Sequence, residues 1–265
     1  MSDAENMGTG GEAMIGVVGG LGPYAGTDLL NKLFDQTLAT ADQDHLPVAM
    51  ISTPHRVPDR TEFILNRRGP NPAGAIFEGV RALERIGATV VGMPCNTAHA
   101  PEIFDVLRRR LDESGSGVKL LHMVEEVGRF LRERFPEARL VGVLSTTGTW
   151  QSEVYATVLR PMGFEVLAPD EDTQTRLVHP AIHDSRYGIK ACPDPVSDRA
   201  RSAIVEAMDK LVDGGAEAVV LGCTELPLAV REKRHQGRPV VDSTLVLARA
   251  LIREFDPAKL RPLDA

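Results

Sequence analysis

The segment Gly87-Ala88-Thr89-Val90-Val91-Gly92-Met93-Pro94-Cys95 indicates the architecture of the chain, because an apolar run leads directly into a polar turn that carries a cysteine. A second segment with the same features runs from Gly215-Ala216 through the apolar run 218–221 to Gly222-Cys223. In both segments a Gly-Ala pair, an apolar run and a cysteine follow one another at the same spacing. A few identities among small residues can arise by chance, but the shared order of elements favours internal duplication of an α/β unit.

Short apolar runs alternate with amphipathic stretches along the whole chain, a pattern that is typical of parallel sheets covered by helices. We therefore predict an α/β fold with two similar parallel-sheet halves that face each other across a cleft. The predicted strands are 13–19, 48–52, 89–93, 118–121, 139–144, 164–167, 218–221 and 239–241. The predicted helices are 23–40, 73–86, 101–111, 123–134, 149–160, 196–213 and 244–255.

Length, charge and cysteine usage exclude several classes of protein. The 265 residues are enough for two domains. A net charge of −7 disfavours nucleic-acid binding, and the absence of a long apolar run predicts no membrane span. Residues 1–13 are predicted to be a flexible tail without the pattern of a secretory signal. An odd number of cysteines, three, predicts free thiols in a reducing cytoplasm.

The cysteines Cys95 and Cys223 each leave an apolar strand and begin a polar turn before a helix. Ligands bind outside the carboxyl ends of strands in open parallel sheets, so both thiols are expected at one cleft. Taken singly, each cysteine fits equally well as a small buried side chain. The backbone N–H groups of such a turn lower a thiol pKa, so the pair also fits catalysis.

Two thiols at one cleft are compatible with a redox couple, a metal site or an acid–base pair. A redox couple usually takes the form Cys-x-x-Cys, which the chain lacks. Zinc needs more ligands than His99, which follows Cys95 closely, can supply. Racemisation needs a base on one face of an α-carbon and a proton donor on the other, so the symmetric placement favours the acid–base pair. Cys192 has no counterpart in the other half and is predicted to be structural.

Two loops in the first half are candidates for substrate binding. The turn Gly19-Gly20-Leu21-Gly22-Pro23 lacks the spacing of a nucleotide-binding loop, and its glycines are interpreted as letting a small substrate approach the backbone. In Pro58-Asp59-Arg60-Thr61 the guanidinium of Arg60 is either a bidentate clamp for a carboxylate or a surface ion pair with Asp59. His55 either forms a polar wall of the site or is an exposed loop residue.

Hydroxyl groups and a lysine supply further candidates in the second half. The run Ser145-Thr146-Thr147-Gly148-Thr149 can cap the next helix and still hold a carboxylate. Lys190 lies in Tyr187-Gly188-Ile189-Lys190. Most lysines are solvated surface residues, so this is its simplest interpretation.

At these motifs the sequence closely resembles the aspartate/glutamate racemase superfamily, specifically its aspartate racemase branch. The matching motifs occur in the family's order over nearly the whole chain after the tail. They are Ile15–Pro23, Val57–Thr61, Pro94-Cys95-Asn96-Thr97-Ala98-His99, Leu144–Thr149 and Gly222-Cys223-Thr224-Glu225-Leu226-Pro227.

The resemblance implies a fold, a mechanism and an assembly. It implies two domains related by pseudo-twofold symmetry, with the active site between them and with the C-terminal strand and helix returning to the first domain. The first domain is then predicted over 14–117 plus 238–265 and the second over 118–237. It further implies catalysis without pyridoxal phosphate, metal or other cofactor, a homodimer, and a small amino-acid or dicarboxylate substrate.

The resemblance also implies roles for individual residues. Cys95 and Cys223 become the two catalytic bases. Arg60 and Lys190 become the charged contacts to the substrate. The other residues expected around the substrate are Gly20, Leu21, His55, Asn96, Thr97, Thr147, Thr224 and Glu225.

Departures from the family pattern leave the substrate open. Leu21 stands where many members carry methionine, and Thr53-Pro54-His55-Arg56 replaces an asparagine-rich stretch. Glu225 stands where glutamate racemases typically carry histidine, which favours aspartate. The alternatives are a superfamily activity of the maleate isomerase, hydantoin racemase or arylmalonate decarboxylase type, or a non-catalytic dicarboxylate-binding protein. Retention of both cysteines disfavours the decarboxylase and the non-catalytic protein.

Overall fold

The computed structural model describes residues 12–263, so the predicted tail over 1–13 lies outside the described residues except for Glu12 and Ala13. The strands are β1 (Met14–Gly19), β2 (Val48–Ser52), β3 (Ala88–Gly92), β4 (Lys119–Leu120), β5 (Leu140–Ser145), β6 (Glu165–Leu167), β7 (Ala218–Gly222), β8 (Arg234–His235) and β9 (Arg238–Asp242). The helices are α1 (Pro23–Gln36), α2 (Arg60–Asn66), α3 (Ala73–Arg85), α4 (Pro101–Glu113), α5 (Met123–Arg134), α6 (Thr147–Gln151), α7 (Val154–Leu159), α8 (Glu171–Thr173), α9 (His179–His183), α10 (Asp198–Asp213), α11 (Leu226–Ala229) and α12 (Ser243–Phe255).

The strands form two sheets with matching order, which confirms the predicted two-part α/β fold. The first sheet has the order β2-β1-β3-β4, and the second has the order β6-β5-β7-β9-β8. All pairs are parallel except β8 with β9. Strands β3 and β7, which lead to the two cysteines, are therefore interior strands at equivalent positions of their sheets.

A pair of equivalent glycines explains part of the sequence duplication. A Cβ atom at Gly16 would lie 2.9 Å from the Cβ of Ala88, and a Cβ at Gly142 would lie 3.0 Å from the Cβ of Ala216. Ala88 and Ala216 belong to the repeated Gly-Ala pairs. Each sheet thus needs a glycine on its first interior strand because the alanine of the duplicated turn fills the space beside it.

The sheet pairings correct the predicted domain boundaries. Residues 114–117, at the predicted end of the first domain, form only the loop between α4 and β4, and β4 pairs with β3 in the first sheet rather than starting the second domain. Strand β9 pairs with β7 in the second sheet, so the C-terminal strand does not return to the first domain. A two-residue strand such as β4 carries too little sequence pattern to reveal its sheet. The chain crosses between the halves after β4 and again after β9.

The helices that follow these crossings interlock the two halves. Val127 and Leu131 of α5 pack in one core with Val141 and Val143 of the second sheet. Leu247 and Leu251 of α12 pack with Ile15 and Val17 of the first sheet. Burial of one such side chain is worth about 1.5–3 kcal/mol, so the exchanged helices hold the halves together. Helix α12 thus packs on the first sheet, whereas β9 pairs within the second sheet.

Several helix predictions are wrong in detail. The first helix ends at Gln36 rather than near residue 40, because Thr37 is extended and pairs with Leu260. The helix expected over 149–160 is broken between α6 and α7, where Glu153 has φ 50°. Helices α2, α8 and α9 were not predicted. Within residues 12–263, no helix is both long enough and apolar enough to span a membrane.

Candidate active site

The two repeated segments place their cysteines in one buried cavity between the halves. Cys95 follows β3 and is 7% exposed, and Cys223 follows β7 and is 4% exposed. The cavity contains most of the residues that the sequence nominated. Its lining consists of Leu21, Asp59, Arg60, Thr61, Cys95, Asn96, Thr97, Thr146, Lys190, Cys223, Thr224 and Glu225.

This cavity is narrow. Its free volume is about 10 Å³, which is close to the minimum that can hold one water molecule. An amino acid therefore needs more room than this arrangement of the lining side chains leaves.

The first half supplies a buried cation next to Cys95. Arg60 is the first residue of α2, and the Asp59 carboxylate caps that helix by accepting from the backbone N–H of Glu62 at 2.8 Å. The guanidinium donates to the carbonyls of Leu21 and Pro58. Arg60 is 8% exposed, so it lies in the cavity and not in a surface ion pair.

Charge explains the protonation of Arg60. Burial acts to lower its pKa, but the Cys95 sulfur and the Asp59 carboxylate act in the opposite direction and prevail, so the pKa is raised. The first half therefore presents a fixed positive charge beside its cysteine.

The second half places a carboxylate next to Cys223. The Cys223 thiol donates to Glu225 Oε2 at 3.1 Å, and the Thr224 hydroxyl donates to the same oxygen at 3.3 Å. Glu225 Oε1 lies 3.6 Å from Nζ of Lys190, whose side chain is 30% exposed. The Glu225 carboxylate thus links the Lys190 ammonium to the Cys223 thiol inside the cavity.

The pKa of Cys223 is raised, which corrects the expectation of a lowered thiol pKa at this residue. Burial raises the pKa of Cys223 well above its ordinary value, and the Glu225 charge adds to the effect, against the opposing Lys190 charge. Burial also acts to raise the pKa of Glu225, but Lys190 and the Cys223 hydrogen bond lower it overall. Burial acts to lower the pKa of Lys190, whereas Glu225 raises it overall. Cys223 is a thiol beside an ion pair.

Hydroxyl and amide groups connect the two halves around the cavity. Thr97 Oγ1 lies 3.0 Å from Thr146 Oγ1 and 2.9 Å from Thr149 Oγ1. The Thr224 hydroxyl also lies 3.2 Å from the carbonyl oxygen of Pro94 across the cleft, so this oxygen and Glu225 Oε2 share its single proton. These contacts fix polar groups on both sides of the thiols and supply donors for carboxylate oxygens.

Asn96 is held from the second half as well. Its Nδ2 donates to Ser243 Oγ at 3.2 Å, and its Oδ1 accepts from the Tyr155 hydroxyl at 2.7 Å. Both polar atoms of the Asn96 amide therefore have a partner, which fixes the orientation of the side chain.

Thr147, Gly20 and His55 do not line the cavity, although they were predicted to contact the substrate. The Thr147 hydroxyl lies 3.0 Å from Nδ1 of His179 and forms a hydrogen bond with that nitrogen. A Cβ at Gly20 would lie 2.8 Å from the backbone nitrogen of Thr53, so this glycine serves a backbone contact rather than the substrate. His55 is exposed.

Other lining residues were missed although their motifs were recognised. Asp59 and Thr61 flank Arg60 in the quoted motif, and Thr146 belongs to the same hydroxyl run as Thr147. The sequence could identify the loops but not which side chain of each loop turns inward.

The remaining candidates have packing roles. His99 is fully buried, its Nδ1 lies 2.9 Å from the carbonyl oxygen of Cys95, and its ring stacks on Phe104. Burial lowers its pKa to about 3, so the ring is neutral near pH 7. Within residues 12–263 no three His, Cys, Asp or Glu side chains are grouped as metal ligands. Cys192 is half-buried, and its thiol donates to the carbonyl oxygen of Arg186 at 3.4 Å.

The sequence profile of a known family covers this whole arrangement. The Asp/Glu/hydantoin racemase profile matches residues 18–251, which include both cysteines and every residue lining the cavity. The chain belongs to the Asp/Glu/hydantoin racemase family. The predicted membership and the predicted class of enzyme are thereby confirmed.

Individual relatives of this racemase-family chain agree with the family assignment. It is 28% identical over 248 residues to the broad-specificity amino-acid racemase of Bacillus subtilis, covering 91% of this chain and 98% of that protein. It is 29% identical to the aspartate racemase of Picrophilus torridus, with a TM-score of 0.75 and coverage of 92% of this chain and 94% of that one. The glutamate racemase of Francisella tularensis, at 16% identity and a TM-score of 0.63 over 96% of this chain and 84% of that one, shares the fold.

Proposed function

We propose that the protein racemises an acidic amino acid, aspartate in the first place and glutamate in the second, by means of two thiols and without a cofactor. One observation carries the proposal. Thiols from two equivalent but separate halves line a single cavity, with a cation beside one thiol and a carboxylate beside the other.

The proposed reaction exchanges one proton for another at the α-carbon. The Cys95 thiolate removes the α-proton from one face, and the electron pair delocalises into the substrate carboxylate. The Cys223 thiol then donates its proton to the opposite face. The enzyme is left with a Cys95 thiol and a Cys223 thiolate, which is the form that acts on the other enantiomer.

Arg60 is the proposed electrostatic partner of the substrate α-carboxylate. Negative charge increases on that carboxylate as the α-proton leaves, and a preorganised cation in a buried site stabilises such charge strongly. Arg60 is already held by two backbone carbonyls, so it needs little reorganisation.

Lys190 is the proposed partner of a second carboxylate. Its ammonium is paired with Glu225, and an acidic substrate side chain would compete with Glu225 for it. Aspartate brings two carboxylates for the two cations, which supports a dicarboxylic substrate.

A second substrate range follows from the same ion pair. If Glu225 stays paired with Lys190 when the substrate binds, the lysine charge is already neutralised. The cavity then favours substrates with uncharged side chains. The relative from Bacillus subtilis, described as a broad-specificity amino-acid racemase, adds weight to this alternative. A cytoplasmic location and a homodimer stay predictions of the sequence.

A chiral screen tests the proposal. The purified protein is dialysed against a chelator and incubated, without pyridoxal phosphate, with L-aspartate, L-glutamate and L-alanine. Chiral chromatography should detect the D-form of aspartate first, and a Cys95→Ala/Cys223→Ala double variant should give none. Conversion of alanine faster than aspartate would support the broad-specificity alternative. Absence of every D-product, or activity that returns only with metal or pyridoxal phosphate, would contradict the proposal.

A further inference from the structure

A second cavity lies in the second half, and neither thiol lines it. Its volume is about 350 Å³, which is within the range of small-molecule sites in proteins. We call it the helix-break pocket, since α6 and α7 form one side and strands β5 and β6 form the other. Its principal lining residues are Val143, Trp150, Glu153, Tyr155, Ala156 and Arg160.

The backbone at the pocket is held in a strained conformation. Glu153 has φ 50°, a left-handed conformation that costs a residue with a side chain of order 1–3 kcal/mol. This residue interrupts what the sequence pattern predicts as one continuous helix. Trp150 precedes the interruption and Tyr155 follows it, and both side chains line the pocket. The strained residue is therefore part of the pocket.

Two residues that line the pocket also touch the active site. The Tyr155 hydroxyl donates to Asn96 Oδ1 at 2.7 Å, and Thr149 Oγ1 lies 2.9 Å from Thr97 Oγ1. Both Tyr155 and Thr149 are buried. Asn96 and Thr97 line the catalytic cavity next to Cys95. A molecule that fills the pocket therefore contacts the groups that orient one wall of the active site.

The chemistry of the lining selects the ligand. The Trp150 indole is fixed by its bond to the carbonyl of Pro169 at 3.1 Å and offers an aromatic surface. Val143 and Ala156 add apolar surface. Arg160 offers a guanidinium for a carboxylate, while the nearby Glu153 carboxylate disfavours ligands with two negative charges. We propose that the helix-break pocket is a regulatory site for a small aromatic monocarboxylate, and that its occupation steadies Asn96 through Tyr155.

The protein carries its own reporter for this site. Trp150 is the single tryptophan of the chain. Titration of the intact protein with 3-phenylpropionate should change the tryptophan emission and saturate at a concentration on the order of millimolar. The uncharged analogue 3-phenyl-1-propanol should bind more weakly.

Two variants locate the binding. Ala156→Leu fills the pocket and should weaken binding about tenfold or more. Arg160→Gln, at an exposed position, should weaken the acid about two- to fivefold and leave the alcohol unchanged. Unsaturable quenching that is equal in wild type and Ala156→Leu would overturn the site. Equal affinity for acid and alcohol would overturn the ligand class.

Coupling to the active site is read without turnover, so that its failure is distinct from failure of the proposed racemisation. The rate of Cys95 alkylation by iodoacetamide is followed by peptide mass spectrometry, with and without saturating 3-phenylpropionate. The ligand should slow the alkylation of Cys95 in wild type. In Tyr155→Phe, which keeps the ring and loses the bond to Asn96, the ligand should still bind but no longer change the rate. Saturable binding with an unchanged Cys95 rate in wild type would overturn the coupling.

Discussion

The Cys95 half and the Cys223 half share one arrangement of strands but differ in the charges around their thiols. In each half the cysteine follows an interior strand of a parallel sheet with matching order. Arg60 brings a positive charge to Cys95, whereas Glu225 brings a negative charge to Cys223. The duplicated fold therefore explains why two thiols meet, and the unduplicated residues explain how they differ.

This difference matters for the proposed reaction, which needs one thiolate and one thiol in each direction. Two identical environments would favour the same protonation state on both sides. A cation favours the charged form of a neighbouring acid, and an anion or burial favours the neutral form. In the proposed reaction, the raised pKa of Cys223 therefore suits this residue to the role of the acid.

Removal of either thiol should have the largest effect. Cys95→Ala and Cys223→Ala should each lower the racemisation rate by about 100- to 10,000-fold, since one proton-transfer group is lost. The residual exchange of the α-hydrogen should be confined to one enantiomer and should be opposite in the two variants. Chiral chromatography and α-hydrogen exchange by NMR measure both effects. Cys192→Ala is the matched control and should behave as wild type; the same enantiomer preference in both active-site variants would refute opposed thiols.

Loss of the cation on the Cys95 side should come next. Arg60→Ala should lower kcat/KM by roughly 10- to 100-fold, because a charge-assisted contact to the substrate carboxylate is worth about 1.5–3 kcal/mol. Arg60→Lys should recover part of the loss, and Arg56→Ala, at an exposed position, should change little. Steady-state kinetics with wild-type values for Arg60→Ala would remove this residue from the site.

Acid should destabilise the Cys95 half through His99, whose counterpart at the matching position of the other half is Pro227. The folded-state pKa of His99 is lowered to about 3, below the unfolded value of about 6.5. Its contribution to stability is therefore full above pH ~6.5 and is lost as the pH falls, by about 1.4 kcal/mol per pH unit.

Urea unfolding between neutral and mildly acid pH measures this loss. His99→Gln should reduce the pH dependence of the unfolding free energy by about one proton, relative to His55→Gln at an exposed position. An identical pH dependence in wild type and His99→Gln would show that His99 is not held neutral by burial.

Neutralising the carboxylate on the Cys223 side should have the smallest effect on rate and a specific effect on pH dependence. Burial and then the Glu225 charge raise the pKa of Cys223, so Glu225→Gln should lower that pKa. In the direction that uses Cys223 as the acid, the alkaline limb of kcat/KM should move to lower pH. The change at neutral pH should stay within about tenfold, because glutamine keeps a hydrogen-bond acceptor. An unmoved alkaline limb would mean that Glu225 does not control Cys223.

The sequence predicted the components of the site better than their boundaries and charges. The Gly-Ala-strand-cysteine repeat was enough to predict two equivalent halves and a shared cleft, since it places each cysteine at the carboxyl end of a buried strand. The membership of β4 and β9 in their sheets was mispredicted, because short strands carry little pattern and sheet pairing is a tertiary property.

Side-chain direction was the other gap. Neighbours in one hydroxyl run, Thr146 and Thr147, point to different partners, and the sequence does not distinguish them. The raised pKa of Cys223 depends on burial first and on the approach of Glu225 second, whereas the sequence argument considered only the turn that follows the strand.

The most direct test of opposed thiols is the position of solvent hydrogen at the start of the reaction. L-aspartate is incubated with the wild-type protein in heavy water, and each enantiomer is separated and examined by mass spectrometry at low conversion. The account predicts deuterium at the α-carbon of nearly every D-aspartate formed, because the second thiol carries a solvent-derived deuteron, and almost none in the recovered L-aspartate. Early deuterium in the recovered L-aspartate at a level similar to that in the product would mean that one group serves both faces, and would contradict the account.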